Sequence, residues 1–205
     1  MSEPFFTIGH STRTLDEFVA LLHDSDVSLV VDIRKIPGSN RYPQFDRDAL
    51  SASLDTESIR YLRSEGLTGR RPVSHDVPFE MNAWWQNRSF HNYADHALSG
   101  DFARALAQVR EFGRNQRTAL MCSEAVWWRC HRRIIADHLL AHGEKVLHIL
   151  ALDHVEPAEL SHGAVVGDDN MVTYPDERGR QVLVERPPGS PLPPRTDPPG
   201  VLDSR

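Results

Sequence analysis

An apolar run followed by an amphipathic segment, over residues 118–140, constrains the fold of this chain more than any other feature. Residues 118–121 are apolar and partly β-branched and follow a polar turn, which is typical of a strand buried on both faces of a parallel sheet. From Arg132 onward, apolar residues recur at helical spacing up to Gly143, a residue type that commonly follows helices. The loop at residues 123–131 therefore joins the carboxyl end of a strand to the amino end of a helix, where open α/β sheets bind ligands.

The same strand-then-helix order occurs at the start of the chain. Residues 5–8 are predicted as a strand, and Thr14 and Glu17 fit a capping box that begins a helix. Residues 28–33, rich in valine and leucine, predict the next strand, so this region fits a βαβ unit. The prediction is an α/β fold: a Rossmann-like, mostly parallel sheet flanked by helices. Further elements are expected as a helix at 46–54, strands at 59–62 and 145–150, and helices at 90–98 and from Asp101 onward.

We expect three parts along the chain. Residues 1–155 are predicted to form the α/β domain. Residues 156–185 are predicted to form a C-terminal extension with a β-hairpin, whose strands lie at 171–174 and 181–185 around a turn at 175–179. Residues 186–205 are rich in proline and are predicted to form a disordered tail, because this composition buries too little apolar surface to offset chain entropy.

The composition narrows the classes of function. The formal net charge is −6, but residues 151–205 hold ten acidic and five basic side chains, so residues 1–150 carry a net charge of only −1. This near-neutral body does not suggest a protein that binds nucleic acid over its whole surface. With no apolar leader or membrane-length run, and only two cysteines, we expect a cytoplasmic protein with reduced thiols that neither enters a membrane nor depends on disulfides. The composition indicates no particular oligomeric state.

Polar side chains follow the predicted strands at the points where these end. His10 and Ser11 follow the first strand, Asp32 and Arg34 close the second, and Cys122 ends the strand of residues 118–121. Because the carboxyl ends of parallel strands share one edge of the sheet, we expect these groups to lie close together. Each also has a simpler interpretation: Cys122 as a small buried apolar residue, His10 as a turn residue, and Asp32 with Arg34 as a structural ion pair.

The leading hypothesis is an enzyme whose substrate carries an anionic group, such as a nucleotide, a nucleic-acid end or a small metabolite. Cys122 would be the nucleophile or a polarised thiol, and His10 or His131 the proton carrier. Glu124 or Asp32 would orient a histidine. Arginine binds phosphate and carboxylate in bidentate fashion, so the predicted anion-binding residues are Ser11, Arg34, Arg70, Arg71, Arg129 and Arg132. A cysteine-dependent phosphatase is one such enzyme, although six residues separate Cys122 from Arg129 where that chemistry usually has five.

Three alternatives remain open. The first is a zinc or iron site that uses Cys122, Cys130 and His131, with His10 as a further candidate, although the Cys-x7-Cys-His spacing is not that of a structural zinc knuckle. The second is a non-catalytic module that binds nucleic acid or a partner through the arginines and the tryptophans at 84, 85, 127 and 128. The third is a redox switch between Cys122 and Cys130.

Four motifs occur together in the chain. They are Thr7-Ile8-Gly9-His10-Ser11; Val31-Asp32-Ile33-Arg34 with Pro37 and Ser39; Gly69-Arg70-Arg71; and Met121-Cys122-Ser123-Glu124 with Cys130-His131-Arg132. In this order they resemble a bacterial and archaeal family named domain of unknown function 488, over residues 5–150. Thr68 stands where the family pattern has a second glycine before Gly-Arg-Arg. The resemblance implies an α/β fold and a shared polar site, without an established activity.

Overall fold

The structure is a computed structural model that describes residues 3–38 and 41–184. Its main sheet has six strands: β1 Phe5–Gly9, β2 Leu29–Asp32, β3 Arg60–Arg63, β4 Thr118–Cys122, β5 Val146–Ala151 and β6 His154–Pro157. Two shorter strands, β7 Val165–Val166 and β8 Val172–Thr173, form a separate hairpin. The helices are α1 Leu15–Asp24, α2 Arg47–Thr56, α3 Arg88–Ala97, α4 Gly100–Gly113, α5 Arg132–Ala141 and α6 Glu177–Val184.

The main sheet confirms the predicted α/β class. Its strand order is β3-β2-β4-β1-β5-β6; the first five strands of that order are parallel, and β6 pairs with β5 in antiparallel fashion. Every residue of β1, β2 and β4 is buried, as expected for strands covered on both faces. The register pairs Gly9 with Cys122 and Asp32 with Met121, so these three strands end at the same edge.

Two hydrophobic cores cover the two faces of the sheet. Because side chains alternate along a strand, Phe5 and Leu120 belong to one core, whereas Phe6 and Ala119 belong to the other. Helices α3, α4 and α5 contribute to the first core, and α1 and α2 to the second. Helix α1 begins with the predicted capping box, in which Thr14 and Glu17 satisfy each other's amide groups. Among the described residues, no helix combines the length and apolar character needed to cross a bilayer.

A hairpin is present within residues 156–184, as expected, but it does not pair the two predicted strands. Strand β8 overlaps the expected residues 171–174 and pairs with β7, which precedes it in the chain. Residues 177–179 of the expected turn and residues 181–184 of the expected second strand instead lie in α6, and the Asp176 carboxylate accepts the Gly179 amide at 2.8 Å. This local bond is typical of a helix start and competes with a turn. The predicted disordered tail at 186–205 lies outside the described residues.

Two smaller predictions also differ. Helix α4 begins at Gly100, one residue before the expected Asp101, because Ser99 caps it by accepting the Phe102 amide at 3.3 Å. The edge strand β6 was not predicted, because its sequence contains a proline and little alternation.

Candidate functional site

A cavity of about 780 Å³ opens at the carboxyl edge of β1, β2 and β4. The parallel ladder continues beyond the strands: the His10 amide donates to the Cys122 carbonyl, and the Ser11 amide donates to the Ser123 carbonyl, each at 3.0 Å. These bonds fix the loop after β1 against the loop after β4. Nine of the residues predicted for the site line this cavity: His10, Ser11, Arg34, Arg70, Cys122, Glu124, Arg129, Cys130 and His131.

Gly9 allows these two loops to approach each other. A Cβ atom at this position would lie 1.9 Å from the Glu124 carbonyl oxygen, so any side chain would displace the loop that follows Cys122. Farther along that loop, the Trp127 ring stacks on His148 of β5 with the ring centroids 4.1 Å apart. The backbone of residues 123–131 is therefore held at both ends over the edge of the sheet.

The cavity floor carries two thiols and an imidazole, which we call the thiol–imidazole centre: Cys122, Cys130 and His131. Each contributes a ligand-type atom, and these three atoms all lie within 4.8 Å of one another. Both cysteines are free, with 6% and 3% of their surface exposed. His131 Nε2 lies 3.2 Å from the Ile33 carbonyl oxygen, which only a protonated Nε2 can satisfy. His131 Nδ1 therefore carries the lone pair, 3.6 Å from Cys130 Sγ.

The two thiols differ in acidity. Hydrogen bonding to Cys130, together with burial, raises the pKa of Cys122 to about 12. Burial also opposes ionisation of Cys130, but the hydrogen bond from Cys122 and the positive charge of Arg132 outweigh it and lower the pKa of Cys130 to about 6. Cys130 is therefore the thiol that ionises first, stabilised by its neighbour and by the start of α5.

His10 lies on the opposite wall of the cavity and is neutral at pH 7. Burial, together with the charge of Arg34, lowers the pKa of His10 to about 4. Its Nδ1 donates to the Ser11 carbonyl at 3.1 Å, and its Nε2 lies 3.4 Å from Arg34 Nη1. The ring also stacks on Phe45, with centroids 4.2 Å apart. Both ring nitrogens of His10 are therefore engaged by neighbouring groups.

Asp32 and Arg34 form a buried ion pair, with 0% and 4% of their side chains exposed. Arg34 Nε lies 3.0 Å from each carboxylate oxygen, and Arg34 Nη2 donates to Asp32 Oδ2 at 2.6 Å. The Tyr61 hydroxyl donates to the same oxygen at 2.6 Å. Burial and this hydrogen bond raise the pKa of Tyr61 above its ordinary value. Asp32 therefore orients Arg34, whereas the sequence suggested that Asp32 would orient a histidine side chain.

Three cations surround the mouth of the cavity, and we call them the cationic rim: Lys35, Arg70 and Arg129. All three are exposed, and none makes a side-chain hydrogen bond or ion pair with another described residue. Glu124 is the one acidic side chain among the described residues that line the cavity. The rim therefore has a net positive charge that no acidic side chain of residues 3–38 or 41–184 neutralises by a direct contact, which favours an anionic ligand.

Two predicted anion-binding arginines lie outside this cavity. Arg132 is 1% exposed, and its guanidinium donates to the carbonyl oxygens of Glu124 and Ala125, so it holds the loop and does not face a ligand. Arg71 donates to the Thr68 carbonyl at 2.8 Å and lines a second cavity of about 740 Å³. Their guanidinium donors are largely occupied by main-chain oxygens, which sequence spacing does not reveal.

Sequence reasoning missed two contributors to the site, Lys35 and Tyr61, and did not reveal the contact of Gly69 with His131. Lys35 directly follows Arg34 and could have been found by extending the polar strand end by one residue. Tyr61 reaches Asp32 from β3, a contact that depends on strand order. Gly69 packs against the imidazole, since a Cβ there would lie 2.8 Å from His131 Nδ1. This close approach explains the glycine of the Gly-Arg-Arg motif.

The tryptophans suggested as stacking platforms are mostly used in packing. Trp85 is buried, stacks on Phe90 and contacts Trp84, and Trp127 stacks on His148. Among the described residues, Trp128 is the one tryptophan that is largely exposed, at 50%. Trp84, Trp85 and Trp127 therefore pack against other side chains of the protein and do not form an open stacking surface.

Comparison with known proteins supports the resemblance based on the motifs. The model of the family described as Domain of unknown function DUF488 matches residues 14–139, more than half of the chain. Comparisons with curated proteins and with solved structures found no match. The matched region contains the thiol–imidazole centre, the cationic rim and the Asp32–Arg34 pair. The chain belongs to the family of domain of unknown function DUF488.

Proposed function

We propose that this protein is an enzyme that binds a phosphate-bearing or similarly anionic substrate in the cavity at the carboxyl edge of the sheet. The substrate class comprises nucleotides, nucleic-acid ends and small phosphorylated metabolites. The observation that carries the proposal is the combination of an unpaired cationic rim with a thiol–imidazole centre on the walls of one cavity of about 780 Å³.

The charge distribution supports an anionic ligand. Arg34 is already neutralised by Asp32, whereas the three cations of the rim have no partner among the described residues. An arginine–phosphate contact is a charge-assisted hydrogen bond, roughly twice as strong as a neutral one. A ligand that brings one or two negative charges would therefore pair cations that have no such partner in the described part of the chain.

The thiol–imidazole centre supports chemistry in addition to binding. A protein that only binds an anion does not need two free thiols and an imidazole with its Nδ1 lone pair 3.6 Å from a sulfur atom. In the proposed site, the rim holds the anionic group beside the thiol–imidazole centre, whose sulfur atoms and His131 Nδ1 lone pair supply the reactive groups. The neutral His10 and the fixed Arg34 shape the opposite wall.

Binding can be tested with inorganic phosphate and pyrophosphate by titration calorimetry at low ionic strength. We expect both probes to bind, and Arg129→Gln to weaken binding about 10- to 100-fold, because a hydrogen bond to a charged group contributes roughly 1.5–3 kcal/mol. The matched control is Arg114→Gln, an exposed arginine at the end of α4 that pairs with Glu111 and lines neither cavity. Equal affinity in wild-type protein and in an Arg70→Gln/Arg129→Gln double variant would overturn the anion site.

Catalysis is tested separately. The protein is incubated with a panel of nucleoside phosphates, sugar phosphates and oligonucleotides that carry terminal phosphates. We expect turnover of at least one class, reduced in His131→Gln and unchanged in the control His75→Gln, an exposed histidine away from the cavity. If the protein binds pyrophosphate but turns over no member of the panel, it is a non-catalytic anion-binding module and the proposed enzyme activity is rejected.

A further inference from the structure

We propose that Cys122, Cys130 and His131 bind one transition-metal ion of the zinc class, with its fourth position open to the cavity. The inference rests on the proposed function, because it assigns the chemistry of the thiol–imidazole centre to the ion these residues would hold. Two thiolates and one imidazole are a ligand set that suits zinc, and catalytic zinc sites use three protein ligands with a fourth position left for water or substrate.

The distances fit a tetrahedral ion. With zinc–sulfur bonds near 2.3 Å and zinc–nitrogen bonds near 2.0–2.1 Å, sulfur and nitrogen ligands lie about 3.6 Å apart and two sulfur ligands about 3.8 Å apart. His131 Nδ1 lies 3.6 Å from Cys130 Sγ, and no two of the three ligand atoms are separated by more than 4.8 Å. Binding would therefore require any pair of these atoms to approach by no more than about 1.2 Å.

The imidazole is oriented as a metal ligand requires. A metal-binding histidine usually donates its other ring N–H to a carboxylate or carbonyl oxygen, which fixes the ring and leaves one lone pair for the ion. His131 Nε2 makes such a bond to the Ile33 carbonyl at 3.2 Å. His131 Nδ1, which faces Cys130, is the atom left for coordination.

The structure also leaves space beside this atom. The backbone of Gly69 comes so close that a Cβ would lie 2.8 Å from His131 Nδ1 and 3.0 Å from His131 Cε1. A larger residue at position 69 would displace the His131 ring or block the path of an ion to His131 Nδ1. Glycine at this position thus preserves both the packing and the accessible lone pair.

The spacing of Cys122, Cys130 and His131 along the sequence is compatible with a catalytic metal site. Structural zinc knuckles take closely spaced cysteines from one turn, but catalytic sites gather ligands from separate segments. Here Cys122 ends β4, whereas Cys130 and His131 directly precede α5. All three line the cavity, so the remaining position of the ion would face the ligand held by Lys35 and Arg129. Such an ion lowers the pKa of a bound water or polarises a phosphoryl oxygen.

The test uses cobalt(II) as a spectroscopic replacement for zinc. Protein purified without chelator and kept reduced is first analysed for metal, then stripped with a chelator and titrated with cobalt(II). We expect one equivalent to bind, with a thiolate-to-cobalt charge-transfer band in the near ultraviolet and the visible bands of a tetrahedral ion. Cys122→Ser and Cys130→Ser should each weaken the charge-transfer band, His131→Gln should lower the affinity at least about 10-fold, and His75→Gln should change neither.

Absence of the charge-transfer band in wild-type protein, or its persistence in the Cys122→Ser/Cys130→Ser double variant, would overturn the inference. The wild-type titration does not depend on the folding of any variant. Pyrophosphate calorimetry on the stripped protein separates the two proposals: binding without a cobalt band rejects the metal alone, whereas a cobalt band without pyrophosphate binding rejects the anion site alone.

Discussion

The replacement Asp32→Asn tests how the buried ion pair supports the cavity wall. Asp32 Oδ1 accepts the backbone amide and Nε of Arg34, and Asp32 Oδ2 accepts Arg34 Nη2 and the Tyr61 hydroxyl. Asparagine has one acceptor oxygen and one donor nitrogen in place of two acceptors. In either orientation, its NH₂ group would face at least two donors, and the Arg34 charge would lose its counterion.

Two estimates of the cost agree. Removing one partner of a buried ion pair destabilises a protein by about 3–5 kcal/mol. Leaving two buried donors without acceptors costs about 1–3 kcal/mol each, or roughly 2–6 kcal/mol together. We therefore expect Asp32→Asn to reduce the free energy of unfolding by about 3–5 kcal/mol. Tyr61→Phe, which removes only one bond to the carboxylate, should cost roughly 1.5–3 kcal/mol.

Urea unfolding followed by tryptophan fluorescence measures both values. The control is Asp55→Asn, an exposed aspartate of α2 with no side-chain hydrogen bond to the described residues, which should change stability by less than about 0.5 kcal/mol. A loss below about 1 kcal/mol for Asp32→Asn would refute the reasoning, because the pair would then behave like an exposed one. If Asp32→Asn does not fold, Tyr61→Phe still provides the measurement.

Three further predictions follow from particular contacts. Because His10 has a pKa of about 4 in the folded protein and about 6.5 when unfolded, the free energy of unfolding should fall as pH decreases from 6.5 to 4. In urea titrations at several pH values, His10→Gln should make this fall smaller, and His75→Gln should leave it unchanged. Gly69→Ala should displace the His131 ring, which nuclear magnetic resonance would detect as shifted ring signals; unchanged signals would contradict the close approach. Thr14→Ala should cost about 0.5–2 kcal/mol by removing the cap of α1, and a change near zero would contradict it.

The sheet could be predicted from sequence because each strand signal is local. The short apolar runs at β1, β2 and β4 are bounded by polar turns, and the parallel arrangement then places their carboxyl ends together. The hairpin could not be located in the same way. The apolar run Val182-Leu183-Val184 suggests a strand, whereas the helix depends on the Asp176 cap and on the packing of Gly179 against the Glu80 carbonyl.

The sequence predicted which residues belong to the site better than it predicted what each residue contacts. Strand ends predict which side chains meet at one edge, but not where a guanidinium points. Arg132 directly precedes a buried helical face, as a ligand-binding arginine would, yet it binds main-chain carbonyls. Likewise, the hydrogen bond from Tyr61 to Asp32 depends on β3 lying beside β2, which no local pattern shows.

The most direct test of the central claim is to locate an anion in the cavity. Crystals soaked in tungstate, a tetrahedral oxyanion that resembles phosphate, would be measured for anomalous scattering. We predict a tungsten peak inside the cavity, in contact with Arg70 or Arg129 and facing the thiol–imidazole centre. A well-occupied peak elsewhere with none in this cavity would contradict the proposed function.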